Sequence, residues 1–79
     1  MKMSVEVRDA DLWRERKLEV EIYLDRGALE ELVQQLQHLK EPGDHCHFMT
    51  PTWGGKELQD EPHIQGNVIA DHMKITLVE

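Results

Sequence analysis

The sequence predicts an α+β fold: a four-stranded, mainly antiparallel sheet with one amphipathic helix on one face, in the order β-β-α-β-β. Three observations carry this expectation. Residues 17–24 alternate strictly between apolar and polar side chains, "RGALEELVQQLQHLK" repeats its apolar residues at helical spacing, and "HMKITLVE" alternates again near the end. The chain of 79 residues suffices for one modest core and reads as a single domain spanning 1–79.

The first strand is expected within residues 3–10, where Val5 and Val7 share one face of "SVEV". The charged run "DADLWRER" interrupts that pattern and reads as an irregular hairpin end carrying Trp13. In the second strand, 17–24, Leu18, Val20, Ile22 and Leu24 are expected to be buried, with Glu19, Glu21 and Tyr23 facing outward. Asp25 stands where an N-cap belongs. Leu29, Leu32, Val33, Leu36 and Leu39 then line one side of a helix of about four turns. Lys40 falls in its last turn, and Pro42 and Gly43 stop it.

Next comes "HCHFMT". Phe48 is its strongest hydrophobe and a free cysteine favours the interior, so Cys46 and Phe48 point inward. His45, His47 and Met49 then point outward. The last strand buries Met73, Ile75 and Leu77. Residues 51–71 form a long connection with three glycines and two prolines, a length that marks a functional or partly structured segment. Val68, Ile69 and Ala70 within it extend the last strand or form a short helical turn. A single helix covers a single sheet face. The other face, with Glu19, Glu21, Tyr23, His45, His47, Met49, His72, Lys74, Thr76 and Val78, is left to solvent or a partner.

Composition narrows the function classes. Nine basic against sixteen acidic residues give a formal charge of −7, which argues against a nucleic-acid backbone as ligand and suits a basic partner. A single cysteine excludes an internal disulfide. The N-terminal residues hold no apolar run of signal-peptide or membrane-spanning length, so a cytoplasmic protein without membrane contact is expected.

The stretch "DHCHFMTPTWGGKEL" concentrates the chemistry. His45 and His47 on one strand face can share an ion, with His72 nearby if the last two strands pair. His63, Asp44 or Asp71 would be further ligands. That metal site (His45, His47, His72) is an alternative rather than the expectation, because no specific metal-ligand spacing is present. Cys46 lies between two histidines in sequence, yet strand alternation turns it to the opposite face. A cysteine–histidine catalytic pair is therefore not expected, nor is any other catalytic residue or cofactor. Gly54 and Gly55 read as turn residues permitting positive φ after Pro51. Trp53 either folds back over the edge of the core or stands out as a binding anchor. Protonating all five histidines would take the formal charge from −7 to −2.

"GDHCHFMTPTWGGKEL", followed by "DHMKITLVE", resembles the immunity protein 32 family of bacterial polymorphic toxin systems. The shared pattern is Gly-Asp-His-aliphatic-His-apolar, Thr-Pro-x-Trp-Gly-Gly, then His-apolar-Lys-Ile, here on residues 43–58 and 72–78. With the preceding strand and helix, the resemblance spans residues 17–79. Cys46 replaces the aliphatic residue, in keeping with an inward position. The resemblance implies a non-catalytic protein that neutralises a toxin by binding it, with a basic toxin domain as partner. His45, His47, Trp53, Gly54, Gly55 and His72 are the expected binding residues. A homodimer through the open sheet face is a further alternative.

Overall fold

A computed structural model describes residues 2–8 and 18–79. Trp13 and the expected strand ends at 9–10 and 17 lie outside the described residues. The α+β class holds, but the strands divide into two sheets. Their elements are β1 (Met3–Val7), β2 (Val20–Leu24), α1 (Arg26–Gln37), β3 (His45–Met49), β4 (Val68–Ile69) and β5 (His72–Thr76). One sheet has the order β2-β1-β4 and the other pairs β3 with β5, all antiparallel. The expected single four-stranded sheet is thus corrected to a three-stranded and a two-stranded one. Val68 and Ile69 neither extend the last strand nor turn helically; they pair with β1.

Local signals place the helix. The Asp25 carboxylate accepts the Ala28 backbone N–H at 2.8 Å, the expected N-cap. The helix ends at Gln37, leaving Lys40 beyond its last turn and making it shorter than the apolar spacing suggested. Asp44 gathers the exit, accepting the backbone N–H groups of Lys40 and Glu41 at 2.9 and 3.0 Å.

The core joins both sheets to the helix. Met3, Val5, Ala28, Phe48 and Leu58 are buried together, with Leu24, Leu32, Cys46, Ala70, Met73 and Ile75 packed around them. Alternation in β3 and β5 therefore points the way the sequence indicates. In β2 it does not produce burial: Leu18, Val20 and Ile22 are 63%, 63% and 43% exposed. The reason is that β2 is an edge strand, and α1 sits so that its own Leu29, Val33 and Leu36 also remain exposed.

β1 is central and buried on both faces. Met3 and Val5 enter the core, while Ser4 and Glu6 on the other face are equally hidden. Glu6 organises the long connection. Its carboxylate accepts from Ser4 Oγ at 2.6 Å, the His63 backbone N–H at 2.7 Å, the Ile64 N–H at 3.3 Å and Asn67 Nδ2 at 2.8 Å. Asn67 also donates to Glu21 at 3.0 Å, and the His63 ring stacks on Tyr23 at 4.6 Å. The free edge of β1 receives backbone N–H groups from Gln59, on Met3 O, and from Ala70, on Val5 O. The sheet face expected to stand open around Glu21 and Tyr23 is therefore covered by residues 59–67.

Burial alone would raise the Glu6 pKa, but the donors from Ser4, His63, Asn67 and Ile64 outweigh it and bring it from 4.5 to about 2. The ionised form is thus the one the fold binds. Its contribution is complete above pH 4.5 and is lost as pH falls toward 2. Glu6→Gln presents an amide N–H₂ to donors that need an acceptor, a loss of about 1–3 kcal/mol. In urea unfolding series, the stability gap between wild type and Glu6→Gln should be widest above pH 4.5 and close progressively as pH approaches 2.

Candidate binding face

β3 and β5 build this face through their register. His45 opposes Thr76, His47 opposes Lys74 and Met49 opposes His72, so these six side chains share the outward surface. Cys46 and Phe48, opposite Ile75 and Met73, face inward. Burial pushes the Cys46 thiol pKa up, leaving it protonated and inert at neutral pH.

On the outward side, four rings form a continuous row. His45 meets His47 edge-on, with centroids 4.9 Å apart. His47 stacks on His72 at 5.0 Å and 15°, and His72 stacks on Trp53 at 5.7 Å and 21°. His47 Nδ1 lies 2.8 Å from His72 Nε2, a hydrogen bond in which one ring nitrogen must donate and the other accept. Both imidazoles therefore cannot be protonated with this bond intact. His45 Nδ1–H donates to the Gly43 carbonyl at 3.0 Å, which fixes that ring's orientation. The His47 pKa is lowered from 6.5, first by partial desolvation in the stack, then by the nearby charges of His45, His72 and Lys74.

The Trp53 turn is built by short backbone bonds. Pro51–Trp53 form a single 3-10 turn; Trp53 N–H and Gly55 N–H both donate to the Thr50 carbonyl at 2.9 Å. Thr50 is fully buried and donates from Oγ1 to Asp71 at 2.6 Å, tying the turn to the start of β5. Gly54 has φ +85°, as expected. Gly55 serves differently: its φ is ordinary, and a Cβ there would collide with the Met49 carbonyl and side chain. Trp53 is 58% exposed, so it is not a lid over the core.

All six expected binding residues thus fall in one place: His45, His47, His72 and Trp53 as a row of rings, Gly54 and Gly55 as the backbone that presents Trp53. The other metal-ligand candidates are elsewhere: His63 lies on Tyr23, Asp44 caps the helix exit and Asp71 holds Thr50. Among the described residues, no group of three or more His, Cys, Asp or Glu is arranged to hold a metal ion. Thr50 and Asp71 were missed as positioning residues. The signal was available, since continuing the antiparallel register past Met49 and His72 sets Thr50 opposite Asp71.

Residues 19–72 match the family described as immunity protein 32. This chain belongs to the immunity protein 32 family. The match runs from the start of β2 to the first residue of β5 and includes the whole row of rings, though it is shorter at both ends than the 17–79 resemblance. No curated protein and no solved structure matches the chain. Membership in an immunity family implies a toxin-neutralising role and a cognate toxin as partner. Among the described residues, no helix is long and apolar enough to cross a membrane.

Histidine titration followed by NMR should give His47 a pKa below 6.5, and His72→Ala should move it back toward that value by removing a neighbouring charge. The depressed pKa means that protonating His47 opposes this arrangement, so the stack should loosen as pH falls below 6.5, read as a change in Trp53 fluorescence. Gly55→Ala should lower the urea midpoint more than Gly54→Ala, because the former meets a backbone collision with Met49 while the latter meets only the cost of a positive φ.

Proposed function

We infer that the chain neutralises its toxin by direct, non-catalytic binding through the outward face of β3–β5 and the Trp53 turn. The observation that carries this reading is the exposed row His45–His47–His72–Trp53, lying wholly within the family match. An exposed tryptophan held on a tightly bonded turn is a rigid anchor with little ordering entropy left to lose. The imidazoles beside it offer both donors and acceptors, which suits a polar, hydrogen-bonded rim. With a formal charge of −7, the chain favours a basic toxin domain, and such complementarity speeds encounter. The setting we infer is the cytoplasm. Nothing in this reading requires catalysis, since the protonated Cys46 faces away from the histidines.

The test is binding to the cognate toxin domain, measured by calorimetry. Trp53→Ala and His47→Ala should each weaken the complex about tenfold or more, while His38→Ala on the exposed end of α1 should leave it unchanged. Affinity should also fall with added salt if basic groups meet this acidic chain. Unchanged affinity in both ring variants would place the toxin on another surface.

A further inference from the structure

A second surface, sharing no residue with the ring face, is left uncovered among the described residues. β2 is an edge of its sheet, and among the described residues nothing pairs with its other side. Its residues Val20–Leu24 contain no proline or lysine that would discourage pairing with another strand. Beside this edge, Leu18, Val20 and Ile22 of the β2 segment and Leu29, Val33 and Leu36 of α1 are 38–63% exposed. The three helical residues are spaced i, i+4, i+7 and so form one ridge. The strand residues lie on the sheet face that also carries Met3 and Val5, the face on which Ala28 of α1 packs. Leu29 lines a shallow pocket together with Leu24, so the ridge begins at the α1–β2 seam.

We propose that a second copy of this chain covers the seam, joining two β2 strands edge to edge across a two-fold axis into a six-stranded sheet, with the α1 ridges packed above it. Two arguments select this occupant. The first is area: the six residues together expose roughly 500 Å², more than half of the roughly 800 Å² per partner of a stable interface. The second is register. With Ile22 on the axis, Val20 opposes the partner's Leu24 on the apolar face and Glu21 opposes the partner's Tyr23 on the other. No like charges then face each other within the strand. An axis at Glu21 would oppose two glutamates, and one at Val20 would set Glu21 against Glu19 twice. In the chosen register Glu19 approaches Asp25 beyond the strand end. There Glu19 is paired with Arg8 at 3.4 Å, and the Asp25 carboxylate is bound to the Ala28 N–H. The dimer leaves His45, His47, His72 and Trp53 free, so it stands independently of the toxin-binding reading.

Sedimentation of the full chain over a range of concentrations tests this directly. The expected result is a mass twice the 9.3 kDa of one chain. Val33→Glu and Ile22→Lys, both at exposed positions and checked for folding by circular dichroism, should weaken dimerisation about tenfold or more. Register is read by mild oxidation in a Cys46→Ser background. Ile22→Cys should cross-link through the axis, whereas Leu18→Cys, roughly 27 Å from its symmetry mate, should not. A monomer at every concentration overturns the proposal, as does a dimer that survives both charged substitutions. A monomer whose toxin binding is lost in Val33→Glu also overturns it, and assigns the seam to the toxin.

Discussion

The fold depends on one buried carboxylate. Glu6 sits on a strand hidden on both faces, in a position where an apolar residue would ordinarily belong. Burying a charge there is tolerable only because four neutral donors converge on it: the Ser4 hydroxyl, the Asn67 amide and the backbone N–H groups of His63 and Ile64. Those same bonds close the segment of residues 63–67 over β1, at sequence separations of 57 to 61 residues. Held there, the segment delivers Val68 and Ile69 to the open edge of β1 and sets the start of β5 against Thr50. Glu6 thus reaches the ring face indirectly, through β4, Asp71 and the anchored Trp53 turn.

How much of this was legible follows from the range of each interaction. The helix start is written in adjacent residues, because Asp25 caps an N–H three positions away. The sides of β3 and β5 are equally local, since strand alternation alone sends His45 and His47 out and Cys46 and Phe48 in. That is why the ring face could be assembled from sequence, with only the antiparallel register needed to bring His72 to His47. β2 shows the limit of the same rule. Alternation says that one face is apolar, but whether anything covers that face depends on where α1 lands and which strand lies beside it. β4 was illegible because two paired residues make no periodic pattern, and the role of Glu6 because none of its partners beyond Ser4 is near it in sequence. The break into two sheets follows from the same buried strand: β1 gives one edge to β2 and the other to β4 and Gln59, leaving none for β3.

The histidine row adds a constraint of its own. A hydrogen bond between two imidazoles needs at least one of them neutral, and stacking Trp53 on the end of the pair couples the indole to that protonation state. Desolvation in the stack, with the neighbouring His45, His72 and Lys74, disfavours protonating His47. In a chain with excess negative charge, the outward face of β3–β5 is a ring-lined surface that carries Lys74 and no carboxylate. Desolvating such a surface costs less than desolvating carboxylates.

The extent of the family match sharpens the physical picture. It begins at residue 19, so β1, Ser4 and Glu6 lie outside it, although His63, Ile64 and Asn67, which also bind Glu6, lie inside. The matched region therefore contains the row of rings and the covering segment but neither β1, which holds them together, nor β5 beyond His72. Phe48 and Leu58, inside the match, pack against Met3 and Val5, outside it. Taken alone, residues 19–72 would expose that contact and leave His63, Ile64 and Asn67 without their shared acceptor. The row of rings and its scaffold are thus separable in sequence and inseparable in energy. The Trp53 turn is maintained by a carboxylate 47 residues away along the chain.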